Sequence, residues 1–573
     1  MVVAARNYQH LPDGGSIPLL SWRSLFSIIV FLNWCQDRLL ESPPTRTDMK
    51  RRTFHDRHQE SQAEEDHSKS ARPDGRQQED VRQRQGGKKA RVGLTRVALV
   101  QNGRRLLTAR RFADALEIFG SVVGAEPSNA SAHYYLARAN FYLGRIDRAT
   151  KHLRRALRVG PHRRALEFLA AIAPFDPAID PQTVLKYRKA LHAVLRANTD
   201  PPRLIRRPAA RKVLRIGYVS SFFENDNWMK PVWGLIDHHD RSRVELHLFS
   251  DAPRSALTHR LPDDRDRFHD ISRLDNARAA YLIAKQTIDV LVDLNGFSNR
   301  ARLLLLVAKP APILVAWFNI FATTGMSCFD AIIGDEWVVK SHEERWYVER
   351  VIRLPMSCLT FDVTYSVPAV QPPPCLRNGF ITFGSLASMY KLNAETIGAW
   401  ARILNRSPRS RLVLGNRSLD NSCNREHLVK RFARLGIARA RLTLLGAAEH
   451  REFLRHYDSI DIGLDTFPYS GGTTTMESIW QGVPVITAGG DRWIARTSAS
   501  ILKNAGLGQF VHADVAAYVD SAVRWGTSAA SPQRLGELRR TMRRRLRAAP
   551  VCDCSRFAAC MEDAYERLWQ SAA

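Results

Sequence analysis

From Val213 onward, short apolar runs that end in small polar residues alternate with stretches of helical periodicity, and this alternation constrains the fold more than any other feature of the chain. "VLRIGYVSS" leads into a helical stretch through Trp233 to His239 and then the strand-like "VELHLFSD"; "IDVLVDLNG" and "ILVAWFNIFATTG" continue the rhythm. Strands that are apolar throughout are buried on both faces, and successive parallel strands need a crossover. The pattern therefore predicts a parallel sheet with ligand-binding loops at the strand C-terminal ends. A second block opens near Gly379 with "GFITFGS", then the helix "AETIGAWARILNRSP", the strands "RLVLG" and "RLTLLG", and, after a helix through Phe453, "IDIGLD". With 573 residues the chain is long enough for two or three domains. Two Rossmann-like blocks are expected, with the cleft between them as the binding site.

Upstream, Ala115, Phe119 and Pro127 recur as Ala149, Leu153 and Pro161, each displaced by 34 residues, the period of a tetratricopeptide repeat. The alanines let paired helices approach, Phe119 or Leu153 fills the gap, and proline closes each unit at a helix end. Repeats bury their faces only by stacking, so two of them are expected to lean on a further helix around Arg164 to Ile172. Residues 174–211, rich in Pro and Arg, read as a linker carrying one helix. Between Pro44 and Arg91 the chain almost lacks aliphatic residues and is expected to be disordered. The apolar run within residues 16–34 is broken by Arg23, is too short for a membrane span and lacks the small-residue cleavage site of a signal peptide. Residues 1–95 are read as a disordered or mis-started N-terminal tail, and no membrane partner is expected.

The net charge of +28 is mostly arginine and attracts phosphates or nucleic acid in general. It is spread along the chain without a basic helix interleaved with aromatics, so a solvated basic surface is expected rather than a specific nucleic-acid site. The 8 cysteines are unevenly placed and form no disulfide framework, which favours a reducing, cytoplasmic compartment. Cys552, Cys554 and Cys560 lack paired spacing and read as unligated thiols, while His238 and His239 have no third ligand spaced to meet them and read as structural.

Chemistry concentrates in "DTFPYSGGTTTMESIWQGVPVIT", Asp465 to Thr487. The order is strand, glycine turn, helix N-terminus. Glycines let backbone N–H groups approach a ligand, and the free amides and positive end of a helix favour a phosphate there. Thr474 and Glu477 also have capping-box spacing, an alternative in which they serve only the helix.

Extended to "AGGDRWIARTSASIL", this span resembles the donor-binding signature of the O-linked N-acetylglucosamine transferase and Spindly-like glycosyltransferase family. "LRIGYVSS" through "HHDRSRVELHLFSD", "DVLVDLNG", "KPAPILVAWFNIFATTG" and "FGSLASMYKLNAETIGAWARIL" are similar in the same order, from about Leu214 to the C-terminus, and tandem repeats ahead of the catalytic part suit the family. The resemblance implies a GT-B architecture of two Rossmann-like lobes after a short helical repeat segment: repeats over 96–173, the linker over 174–211, an acceptor-side lobe over 212–375 and a nucleotide-sugar lobe over 376–573. It implies inverting transfer of a sugar, N-acetylglucosamine, from a UDP donor to Ser or Thr hydroxyls of proteins held by the repeats. Lys391, in "MYKLN", matches the family lysine that touches the donor diphosphate, where a fixed ammonium stabilises the charge that develops as the glycosidic bond breaks. Gly471, Gly472, Thr473 and Thr474 would supply backbone and hydroxyl contacts to the phosphates, and Glu477 would hold the ribose hydroxyls. Lysine and helix end together would replace a divalent cation, so no metal and no cofactor beyond the UDP sugar is expected.

This chain also departs from the family. Gly472 stands where a histidine is frequent, and Asp226 stands where many members carry a histidine near the reaction centre. Asp226 would act as a base or orient the acceptor, or simply cap the following helix. The turn "IFATTG" keeps Thr323, Thr324 and Gly325 but loses a proline and a glycine. Asp491, Arg492 and Arg496 fit either a structural salt bridge or a donor contact. Another hexose, an Asn or glycan acceptor, or a non-catalytic sugar-nucleotide-binding scaffold are the alternatives.

Overall fold

The structure, a computed structural model, describes residues 96–199, 213–259, 261 and 263–572. The tail expected over residues 1–95, with its apolar run, lies outside them.

The helical segment consists of α1 (Arg96–Thr108), α2 (Phe112–Ala125), α3 (Ala130–Tyr142), α4 (Ile146–Val159), α5 (Arg163–Ile172) and α6 (Pro181–Arg196). Helix α4 shows why these stretches are helical: Ile146, Ala149, Leu153 and Ala156 form a buried stripe at helical spacing, and the remaining face is basic. Asn129 caps α3 by accepting from the Ala132 amide at 2.8 Å, and Asp180 caps α6 through the Thr183 amide at 2.7 Å. The paired positions Ala115, Phe119, Ala149 and Leu153 are all fully buried. Helix α5 stacks on the second hairpin, and the first shares its core with the far lobe, where Leu107, Phe112 and Phe119 belong to one cluster with Met389 and Leu392. Two repeats thus find the extra stacking surface they need on both sides.

Among the described residues the strands form two parallel sheets. The first contains β1 (Leu214–Ser220), β2 (Val244–Ser250), β3 (Arg267–Asp270), β4 (Val290–Asp293), β5 (Ile313–Ala316), β6 (Ala331–Asp335) and β7 (Arg350–Leu354), in the order β3-β2-β1-β4-β5-β6-β7. The second contains β8 (Thr382–Ser385), β9 (Arg411–Gly415), β10 (Leu442–Leu445), β11 (Ile462–Leu464), β12 (Val485–Ala488) and β13 (Val511–His512), in the order β10-β9-β8-β11-β12-β13. β8 and β11 are neighbours at the point where the strand order reverses, which is where open parallel sheets bind ligands.

The helices that matter below are α7 (Asp226–Ile236), α8 (Ser422–Ala433), α9 (Thr473–Trp480), α10 (Trp493–Asn504) and α11 (Cys554–Ala572). Helix α11 cuts across the sequence boundary between lobes. It follows the second lobe in the chain, yet Phe557, Met561, Tyr565 and Leu568 pack into the first-lobe core with Trp233 and Trp317. Its Glu562 accepts from His239 Nδ1 at 2.8 Å and Arg243 Nη1 at 3.0 Å, so His239 is a buried docking residue. Cys552, Cys554 and Cys560 are free thiols. Among the described residues no helix is long and apolar enough to cross a membrane.

Candidate donor site

The loop after β11 is folded by Asp465. Its buried carboxylate accepts from the Thr466 amide at 2.9 Å, the Gly471 amide at 2.8 Å and the Thr487 hydroxyl at 2.6 Å, closing the chain back on itself. Ser470 is pinned to Ile494 of α10, its amide and hydroxyl both donating to that carbonyl at 3.0 and 2.8 Å. Ser498 donates to the Gly471 carbonyl at 3.1 Å and pairs with the Thr475 hydroxyl at 2.8 Å. Gly471 is enclosed here: a Cβ would lie 2.1 Å from Thr475 Oγ1, whereas at Gly472 it would meet nothing nearer than 3.9 Å. Gly472 is the N-cap of α9, and no side chain caps that helix. The capping-box alternative is therefore not adopted: the Glu477 carboxylate turns away to Lys230 of α7, which it contacts closely, and to His450 Nε2 at 2.9 Å. Lys230 Nζ also sits 4.1 Å over the Tyr365 ring, so Glu477 joins a buried contact between the lobes.

Lys391 emerges beyond β8, beside this loop. Its ammonium donates to the Ser470 carbonyl at 2.8 Å and lies 3.8 Å over the Tyr469 ring. Desolvation pushes its pKa down to about 8, opposed by the nearby Asp465 carboxylate. Both loops line a cavity of about 180 Å³. Lys391, Gly471, Gly472, Thr473 and Thr474 belong to its wall; Trp317, Phe318, Asn319 and Trp493 face them. Phe318 adopts φ 63°, unusual for a bulky residue, in the turn that carries this aromatic wall. The buried Thr497 hydroxyl, on a residue that also lines the cavity, has no hydrogen-bond partner among the described residues.

The structure thus brings Lys391 together with residues 471–474 and leaves Glu477 and Asp226 outside the cavity lining. Asp226 begins α7, where its carboxylate contacts the Thr258 hydroxyl and burial raises its pKa above the ordinary range. Among the described residues, no carboxylate or imidazole lines the cavity. Thr323 donates to Glu349 at 2.7 Å, and the adjacent Ala322 carbonyl accepts from Arg188 of α6 at 3.1 Å, so "ATTG" anchors the helical segment. Arg492 donates to the Asp176 and Ile179 carbonyls at 3.1 and 2.8 Å, and Arg496 bonds Glu343 at 2.5 Å; both serve structural links. Residue-by-residue reading missed Tyr469, Trp317, Phe318, Asn319 and Thr497. Tyr469 lies inside the quoted loop, and its place beside two glycines was the available signal.

This arrangement of a lysine, a glycine turn and an uncapped helix at a sheet switch point lies within a span that matches a family profile. The chain matches the profile described as Glycosyl transferase family 41 over residues 197–371 and 374–561, well over half its length. The chain belongs to glycosyl transferase family 41. A tetratricopeptide-repeat profile matches residues 106–172 of this family 41 protein. Its relatives include a protein of Hordeum vulgare described as a probable UDP-N-acetylglucosamine–peptide N-acetylglucosaminyltransferase SPINDLY, 32% identical over 376 residues, and the corresponding SEC protein of Arabidopsis thaliana, 27% identical over 422 residues. These alignments cover 65% and 70% of this chain but 39% and 42% of the relatives, so the chain spans about two fifths of their length. Among solved structures, an O-GlcNAc transferase mutant from Thermobaculum terrenum is 30% identical with TM-score 0.73, covering 83% of this chain and 90% of that one. The two parallel-sheet lobes have the GT-B architecture expected of family 41.

Proposed function

We propose that this chain is a glycosyltransferase that moves N-acetylglucosamine from a UDP donor to Ser or Thr hydroxyls of a protein. The observation that carries this reading is Lys391, a cation held by a carbonyl and a ring rather than by a carboxylate, at the wall of a cavity that also exposes the start of α9. Such a site suits a diphosphate: the ammonium and the free amides of α9 hold the charge that grows on the leaving group. Lysine and helix end together supply what a metal supplies elsewhere, so transfer needs no divalent cation; inversion is what the family resemblance implies. The unpaired Thr497 hydroxyl and the aromatic wall suit the sugar and acceptor side, and the repeats present the polypeptide. Names of the relatives support the donor and acceptor classes.

A second reading, a sugar-nucleotide binder without turnover, is favoured by the position of Asp226 and by the absence of a carboxylate or imidazole among the described residues of the wall. Calorimetric titration with UDP, followed by transfer assays with UDP sugars and peptides in EDTA, separates the two. Transfer is expected from the wild type and loss of donor binding from Lys391→Ala. UDP binding without transfer across many acceptors supports the binder, and unchanged donor use by Lys391→Ala overturns the site.

A further inference from the structure

The helical segment touches the turn that carries Lys391. Gly144, between α3 and α4, has φ 71° and lies so close that a Cβ would come 2.3 Å from the Leu392 carbonyl oxygen and 3.0 Å from that of Met389. Arg431 of α8 ties the two turns together, its Nη1 donating to the Leu143 carbonyl at 3.0 Å and the Leu392 carbonyl at 2.7 Å. Side chains extend the contact. Phe141 of α3 stacks on Tyr390 with centroids 5.1 Å apart and planes 15° from parallel. Phe175, just after α5, lies 4.5 Å from Tyr469, and the two tyrosine rings are 5.9 Å apart. Rings from the repeats therefore brace the chain neighbour of Lys391 and the ring beneath its ammonium.

We propose that the helical segment is part of the donor site, with Phe141, Gly144 and Phe175 as positioning residues that hold the Lys391 ammonium beside the Ser470 carbonyl. This rests on the reading of Lys391 as the diphosphate ligand. A free lysine carries a large rotamer entropy, which it loses on meeting an anion. A lysine already fixed by packing loses little, and the interaction with the diphosphate is correspondingly stronger. Ser470 is the acceptor for this ammonium, so the packing of Tyr390 and Tyr469 has to fix the rest of the side chain. The same rings keep water from it; when they withdraw, the proton affinity of the amine climbs back toward that of an ordinary lysine.

The test uses the full chain as wild type, Phe141→Ala, Phe175→Leu, Gly144→Ala and the control Gly436→Ala. Gly436 has φ 80° and no atom within 4 Å of its would-be Cβ, so it reproduces the backbone strain of Gly144→Ala without the contact. Two quantities are read: UDP affinity by calorimetry, and the midpoint of pH-dependent acylation of the Lys391 amine, followed by peptide mass spectrometry. Wild type is expected to label with a midpoint at about 8. Phe141→Ala, Gly144→Ala and the milder Phe175→Leu should raise that midpoint and weaken UDP binding, by about tenfold for the first two, a factor typical of losing one well-placed contact. In a Lys391→Met background the same substitutions should cause no further loss, and Gly436→Ala should change neither quantity. Unchanged midpoint and affinity in the Phe141 and Phe175 variants, equal losses in Gly436→Ala, or equal losses without Lys391 would each overturn the proposal. If the wild type binds no UDP while the midpoint still shifts, the diphosphate reading fails and the positioning role stands.

Discussion

Replacing Gly471 by alanine puts a Cβ 2.1 Å from Thr475 Oγ1, 3.2 Å from Ser498 Oγ and 3.3 Å from Thr474 Oγ1. Thr475 and Ser498 are buried and bonded to one another, and Ser498 also holds the Gly471 carbonyl. Neither hydroxyl can move aside without leaving a buried polar group unpaired. Overpacking and the lost pairing together cost about 2–5 kcal/mol. One residue further on, Gly472→Ala meets nothing nearer than Thr497 Cγ2 at 3.9 Å, so its cost is confined to a poorer N-cap for α9, about 1 kcal/mol. Urea unfolding followed by tryptophan fluorescence reads the difference, because Trp480 ends α9 and Trp493 begins α10 beside the loop. Gly471→Ala should lower the midpoint clearly and, by displacing the Ser470 carbonyl, weaken UDP binding; Gly472→Ala should lower it much less. Equal midpoints for the two variants would refute the assignment of a structural role to the first glycine and an open, ligand-facing role to the second.

Three further outcomes are expected. The Lys391 amine is protonated below about pH 8, so UDP affinity should hold at pH 7 and fall as pH rises past 8, whereas Lys391→Met should bind weakly with no such fall; calorimetry across pH checks both. Lys230→Met removes the cation buried against Glu477 and should destabilise the protein by about 3–5 kcal/mol, with most of the loss recovered when Glu477→Gln is added, as judged by urea midpoints. Burial lifts Asp293, at the end of β4, to a pKa of about 7, well above an ordinary carboxyl. Between about pH 4 and 7 the folded chain keeps a proton that the unfolded chain has released, so this group makes stability fall as pH rises through that window, by on the order of 4 kcal/mol. Asp293→Asn should flatten the slope when midpoints at pH 4 and pH 8 are compared.

Local signals in the chain carried the lobes and the glycine loop after β11. "IDIGLD" is short, apolar and followed at once by glycines, so the strand β11 and the turn after it are written in adjacent residues, and the helix start at Thr473 follows from the same stretch. Lys391 was legible only through the family motif around it, since nothing in "MYKLN" by itself separates a cavity lysine from a surface one. Partners distant in sequence were not legible. Glu477 has helix-capping spacing, and the family resemblance implies a ribose contact for it, yet Lys230, 247 residues away, takes its carboxylate. The placement of Asp226 depends on Thr258 across a loop, and periodicity cannot specify which way a helix-terminal side chain turns. Stacking of Phe141 on Tyr390 likewise depends on how two separately folded segments meet, and no local pattern encodes that.

Helix α11 gives the chain an unusual schedule. The strands of the first sheet are complete at Leu354, but the core beneath them lacks Phe557, Met561 and Tyr565 until those residues have been made. During synthesis that gap is about 200 residues, or about 10–40 s at bacterial and eukaryotic elongation rates. The first lobe must wait on the ribosome with an apolar seam open, a period in which chaperone demand should be highest. Termination before Cys554 would leave it permanently unsealed, however sound the loop after β11.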